Sequence, residues 1–189
     1  IEATVAQHGE AVSAERDAST RASAAEAPAA GTVGALVPGF DGASSEEIDD
    51  EIREVFLEEF EEEIENLSQL LPIWRDDPEN AELLRPIRRV FHTLKGSGRL
   101  VGAKTLGEFS WKVESLLNRV LDGSRPASPQ VFALVQLALD HLPLLRAALQ
   151  GQAVHADLDG IQATAELLAA GEEASYVAPG QQAAEAVGG

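Results

Sequence analysis

Apolar residues recur at three- and four-residue steps through the middle of the chain, the spacing that lines one face of an α-helix. Ile48, Ile52, Val55, Phe56, Phe60, Ile64, Leu67, Leu71 and Trp74 make the first stripe. Ser45 ahead of Glu46 and Glu47 signals a helix start, and the Asp-Asp-Pro run at 76–78 signals its end. A second segment over about 80–101 carries Leu83, Leu84, Ile87, Val90, Phe91, Leu94 and Val101, with Gly102 ending it. Pro86 marks either a kink in that segment or the first turn of the helix proper. A third helix is predicted over about 104–122, burying Leu106, Phe109, Val113, Leu116, Leu117, Val120 and Leu121. A fourth, over about 128–149, carries Val131, Phe132, Val135, Leu139, Leu142, Leu145 and Leu149 and should bend at Pro143. A shorter fifth, over about 157–170, carries Leu158, Ile161, Leu167 and Leu168. No strand-like alternation competes, and short connections favour antiparallel neighbours. The expected fold is all-α: an antiparallel up-and-down four-helix bundle with an accessory C-terminal helix.

The flanks lack this period. Residues 1–44 are rich in Ala, Ser, Gly, Thr and Glu and read as a disordered linker; 172–189 read the same way, leaving a bundle over 45–171. At 189 residues and 44% apolar content the chain can fill one core. Cysteine is absent, which removes disulfides, thiolate chemistry and cysteine metal sites and permits a reducing compartment. No apolar run approaches the roughly 20 residues of a bilayer span, and no basic-then-apolar leader opens the sequence. Methionine is absent even at position 1, which suggests a piece of a longer polypeptide; separately, the absence of cysteine fits the cytoplasm, and the domain is expected to be monomeric.

Net charge is −18, which argues against general binding to nucleic acid or anionic membrane. The charge is unevenly spread. From Glu46 to Leu71 there are twelve acidic residues and one arginine; from Arg85 to Lys104 there are six basic residues and no acidic one. The glutamates of the first helix read as a solvated face.

Within the basic stretch lies one histidine, His92, followed by Lys95, Gly96 and Gly98. Taking Ile87 as the centre of the core face and about 100° per residue, His92 falls near 140° and points outward, with Lys95 near 80°, Arg88 near 100°, Arg99 near 120°, Arg85 near 160° and Gly96 near 180°. Two glycines in a helix cost on the order of 1 kcal/mol each relative to alanine. The gain would be space: bare backbone one turn beyond the imidazole lets a bulky group or a second protein reach the ring. An exposed imidazole, nucleophilic when neutral, beside an ammonium group suits covalent transfer of a phosphoryl group. Lys95 is suited to offset the charge of a phosphorylated ring.

The stretch His92-Thr93-Leu94-Lys95-Gly96-Ser97-Gly98 resembles the signature of histidine phosphotransfer (HPt) domains, in its expected place on the second helix. The resemblance covers about 46–150. It is similar in particular to the phosphotransfer modules of chemotaxis-type (CheA-like) kinases, including the hybrid kinases of the type IV pilus chemosensory system. It implies that His92 accepts a phosphoryl group from a histidine kinase catalytic domain and passes it to a receiver-domain aspartate. It also implies that a glutamate on the next helix, here Glu114, hydrogen-bonds the histidine. On its own helix Glu114 lies about 100° from Val113, at the edge of the apolar stripe, from where it can reach a neighbour. A carboxylate accepting from Nδ1–H would fix the tautomer and leave Nε2 as nucleophile.

Arg85, Arg88, Arg89 and Arg99, with Ser97 and Gly98, are then candidates for a partner-binding surface, since receiver domains carry an acidic pocket; the arginines could equally pair with the glutamate-rich first helix. His141 and His155 lack lysine or glycine at matching offsets and read as structural or solvent-facing, and His8 falls in the expected linker. No metal set is present and no cofactor is expected. Trp111, near 160° from the apolar centre of its helix, is expected to be partly exposed, either as a recognition residue or covered by the accessory helix. No glycine-rich nucleotide loop accompanies the histidine, so the domain is not expected to use ATP by itself. Two alternatives remain: a helical docking or spacer domain that has lost the chemistry, and an enzyme with a site buried in the bundle.

Overall fold

The computed structural model describes residues 34–41 and 48–179. Of the linker expected over 1–44, residues 1–33, with His8, and 42–44 lie outside the described residues, as do 45–47 and 180–189. Among the described residues five helices follow in order: α1 (Asp50–Asp76), α2 (Ala81–Leu100), α3 (Lys104–Leu121), α4 (Pro129–Leu149) and α5 (Leu158–Ala169). A pair of two-residue strands, β1 (Ala35–Leu36) and β2 (His155–Ala156), joins antiparallel, with Ala35 opposite Ala156 and Leu36 opposite His155.

Local chemistry sets these boundaries. The Asn80 side chain accepts from the Glu82 amide at the start of α2, and the Ser128 hydroxyl accepts from Val131 N–H ahead of α4. Helix α2 ends in a Schellman turn: Gly102 adopts φ +85°, Ala103 N–H donates to Gly98 O at 2.7 Å, and Gly102 N–H donates to Arg99 O at 3.3 Å. Pro86 lies inside α2, more than a turn past its start, so it does not open the helix. Pro72 and Pro143 are likewise interior to α1 and α4.

Helix α1 packs on α2 and α4, α2 packs on α3, and α5 fits against both α3 and α4, filling the side of the bundle between them. The core includes Phe60, Leu67, Trp74, Ile87, Phe91, Leu94, Phe109, Leu116, Leu142 and Ile161. Trp74 is fully buried, its ring centroid 4.1 Å from that of Phe132. Helix α4 is long and apolar enough to cross a membrane by length and composition, yet nine of its residues are buried in this core.

The first stripe is shorter than its pattern. Ile52 and Val55 are 54% and 50% exposed. Val55 lies about 100° around α1 from the buried Phe56, off the face that Phe56, Phe60, Leu67 and Trp74 turn to the core. Ile52 is exposed although Ile48 and Phe56, one turn to either side, pack on the core. Leu167, also on a predicted stripe, is exposed on α5.

Both flanks pack further than their composition suggested. Of residues 34–41, placed by the sequence reading in the linker, Val37 is buried and Asp41 N–H donates to Gly102 O at 3.0 Å. Phe40 lies 4.8 Å beneath the Arg53 guanidinium. At the other end Arg125, buried in the α3–α4 connection, donates to Leu168 O at 2.9 Å, Glu172 O at 3.1 Å and Ser128 Oγ at 2.8 Å, and pairs with Glu173. Tyr176 donates its hydroxyl to Asp157 Oδ2 at 3.0 Å; burial and that carboxylate push the phenol up to about 12. A few apolar and polar anchors tie down segments that carry no helical period.

Candidate functional site

Helices α2 and α3 leave the Schellman turn in opposite directions, so residues progressively earlier on α2 meet residues progressively later on α3. Two glycines, Gly98 and Gly107, face each other across the close approach near the turn. A Cβ on Gly98 would meet Ala103 O and Leu106 at ordinary contact distances of 3.4–3.5 Å, whereas one on Gly107 would come within 2.7 Å of Arg99 Cγ. Two turns back from Gly98, the same register brings His92 opposite Glu114.

Glu114 is the buried member, its side chain 4% exposed, while the His92 side chain is 57% exposed. His92 Nδ1 lies 2.8 Å from Glu114 Oε1, Lys95 Nζ lies 2.7 Å from Oε2, and Arg88 Nη2 lies 3.6 Å from Oε1. Burial pushes the Glu114 carboxyl up, but hydrogen bonds and charges from Lys95 and His92 outweigh it and hold the group below its ordinary range. The carboxylate is therefore ionised near neutrality and can only accept, so Nδ1 must donate. In the neutral ring the lone pair is then on Nε2, the nitrogen on the side away from Glu114.

Gly96, on the turn beyond the ring, is exposed, and a Cβ there would meet nothing within 4 Å. Gly98 is different. It is buried at the α2–α3 contact, so it is helix packing and not clearance for a partner that it provides. By the same 100° count it lies about 20° from the centre of the core face, away from the face of His92 expected to meet a partner. Ser97 is half-buried and turned toward α1, lining a groove with Phe56, Phe60 and Glu63; it too is off the His92 face.

The arginines separate into distinct environments. Arg85 pairs with Glu82 one turn earlier on its own helix at 3.1 Å, Arg89 is exposed, and the Arg99 guanidinium sits 5.9 Å over the Trp111 ring. Among the described residues none of Arg85, Arg88, Arg89 and Arg99 forms an ion pair with α1. Arg88 faces the site itself, its Nε donating to Asn118 Oδ1. Trp111 is 44% exposed, with Lys112 Nζ 4.5 Å from its ring; Lys112 in turn pairs with Glu166, so α5 reaches this edge without covering the indole.

His141 donates from Nδ1 to Leu137 O at 2.8 Å within its own helix, and His155 is exposed in β2. Among the described residues no group of three His, Asp or Glu side chains converges as a metal site. Asn118 was missed by sequence reasoning. It was within reach: if Glu114 opposes His92 in antiparallel helices, the residue four after Glu114 opposes the residue four before His92.

A match to the family model described as Hpt domain runs over residues 51–151. Among known proteins, the chain is 35% identical over 95 residues to the sensor histidine kinase CheAY of Helicobacter pylori, covering 50% of this chain and 12% of that one. It is 33% identical over 105 residues to the chemotaxis protein CheA of Treponema pallidum, covering 55% and 12%. The CheA of Bacillus subtilis is 28% identical over 89 residues, covering 47% and 13%. The aligned region thus spans about an eighth of the length of these relatives. No solved structure matches. The chain belongs to the Hpt domain family, the histidine phosphotransfer modules of phosphorelays, whose members are phosphocarriers without a catalytic site of their own.

Proposed function

We propose that His92 is the phosphoacceptor of this module and that Glu114 orients and stabilises it. The neutral ring attacks the γ-phosphorus of ATP held in a histidine kinase catalytic domain. The Nε2–P bond forms, the P–O bond to ADP breaks, and Nδ1 keeps its proton. The ring becomes cationic, and the Glu114 carboxylate at 2.8 Å offsets that charge without taking the proton. In the second step an aspartate oxygen of a receiver domain attacks phosphorus, the N–P bond breaks, and the ring returns to neutral. Phosphoryl transfer needs positioning and charge stabilisation above all. Lys95 supplies a point charge at the edge of the ring, and Gly96 leaves the approach open.

The observation that carries this reading is the pairing of a buried, ionised carboxylate with one nitrogen of a ring that is otherwise exposed. Arg85, Arg89 and Arg99 form the surface that steers an acidic receiver, supported by their lack of ion pairs with α1. The working module extends from residue 34 to at least residue 176, supported by the packing of Val37 and Tyr176, and acts in the cytoplasm as one part of a larger kinase.

Incubation with a histidine kinase catalytic domain and ATP, followed by mapping of the modified residue, tests the proposal. Acid-labile label on His92, absent from His92→Gln, is expected. No label, with the protein folded, would leave only a docking or spacer role.

A further inference from the structure

We infer that Arg88, held by Asn118, is the charge-matching residue of the phosphohistidine site, an inference that rests on the relay reading above. Arg88 is anchored at one end, its Nε donating to Asn118 Oδ1 on α3, while its Nη2 stands 3.6 Å from Glu114 Oε1. That is the same oxygen that accepts from His92 Nδ1. Among the described residues the Nη atoms of Arg88 make no hydrogen bond, and the side chain is 38% exposed. The guanidinium is thus fixed in direction with donors unspent.

Neutralising Glu114 does not require Arg88, because Lys95 already contacts the other carboxylate oxygen at 2.7 Å. One carboxylate faces two permanent cations, so with a neutral ring the group carries one net positive charge. The phosphoryl group leaves ATP as PO3 with one net negative charge: it becomes dianionic on a ring that has become cationic. The loaded site is then neutral. Without Arg88 the empty site would be neutral and the loaded site one negative charge in excess, buried in part against α3. Arg88 therefore favours the loaded state over the empty one, and Asn118 acts through it by holding the guanidinium toward the ring. Arg89, the next residue, has no such anchor among the described residues, and Arg85 pairs with Glu82 on its own helix, not with Glu114.

Phosphoramidate tests this without a partner protein: the imidazole attacks its phosphorus, the P–N bond breaks and ammonia leaves. Phosphohistidine is quantified by 31P NMR at equal phosphoramidate in wild type, Arg88→Ala, Arg88→Lys, Asn118→Ala and His92→Gln. Helical content is followed by circular dichroism. At low salt Arg88→Ala should hold about three- to fivefold less phosphohistidine than wild type, the size expected of one partly exposed charge. Arg88→Lys should recover most of the loss and Asn118→Ala should fall between. In about 1 M salt, where charges are screened within about 3 Å, the differences should close. Equal occupancy in wild type, Arg88→Ala and Asn118→Ala at low salt, or a deficit that persists in high salt, would overturn the role of Arg88 and leave the relay reading standing. Absence of label from wild type, or equal label on His92→Gln, would overturn the relay reading and this inference with it.

Discussion

Two buried ionic centres tie this bundle together, and they are finished differently. Around Arg125 a single buried cation donates to two backbone carbonyls at the end of α5, to Ser128 and to Glu173. Around Glu114 a single buried anion gathers three cationic or cation-forming groups, Arg88, His92 and Lys95, each of them partly exposed. The first centre is closed: its donors are met and its charge is sealed in. The second is anchored from below, carries surplus positive charge, and leaves a ring nitrogen facing outward. A reactive site in a fold this regular is distinguished by that imbalance, since burial and pairing are common to both centres.

The comparison breaks most sharply at His92. His92→Gln should abolish acid-labile phosphorylation while leaving helicity and melting temperature within experimental error, because the ring is mostly exposed. A labelled variant would mean that the open centre is not the reactive one.

Glu114→Gln comes next. An amide still accepts from Nδ1 but cannot offset the cationic ring, and the rate of phosphorylation by a cognate kinase domain should fall at least about 10- to 100-fold, the loss seen when a partner that orients a metal-bound histidine is removed. It should also lower stability in a pH-dependent way. The folded carboxyl sits below its ordinary value of 4.5, so its contribution is full above that value and is lost as pH falls through the lower folded one. The stability gap between wild type and Glu114→Gln, measured by urea unfolding, should close below about pH 4.5. A gap that widened in acid would reverse the assignment of charge.

Arg125→Ala should do the opposite of His92→Gln. It removes a donor from the carbonyls of Pro126, Leu168 and Glu172 and from the Glu173 carboxylate, and should cost about 2–4 kcal/mol of folding stability. Phosphorylation per folded molecule should be unchanged.

The smallest effects concern the glycines and salt. Gly96→Ala should stabilise the protein by about 0.5–1 kcal/mol, since nothing surrounds the site of the new methyl and alanine is the better helix former. Gly98→Ala, with neighbours at 3.4–3.6 Å, should gain less. Equal gains would deny the two glycines their different roles. Transfer from phosphorylated protein to a receiver should slow as ionic strength rises. A salt-independent rate would remove Arg85, Arg89 and Arg99 from the docking surface.

Much of this arrangement was legible in the sequence. The five helices among the described residues follow from apolar periodicity, because each buries one stripe, and Gly102 marks the end of α2; the caps at Asn80 and Ser128 went unread. The signature around His92 pointed to the chemistry and, by resemblance, to Glu114. What escaped depends on angle and on tertiary packing. Val55 joins the apolar run of α1 but stands about 100° from the buried Phe56, off the core face. Val37 and Tyr176 are lone anchors in stretches of linker-like composition. Gly98 could have been separated from Gly96 by its angle alone. The place of Arg88 and Asn118 emerges only once α2 and α3 are set antiparallel in register, since on its own helix Arg88 is one more member of a basic stretch.

The central claim is that Glu114 holds the Nδ1 proton and so directs phosphorus to the other nitrogen. Heteronuclear 15N–31P NMR of the phosphorylated protein reads this directly. The account predicts a single species with phosphorus bonded to Nε2 of His92 and a proton on Nδ1; phosphorus on Nδ1, or on any other residue, would contradict it.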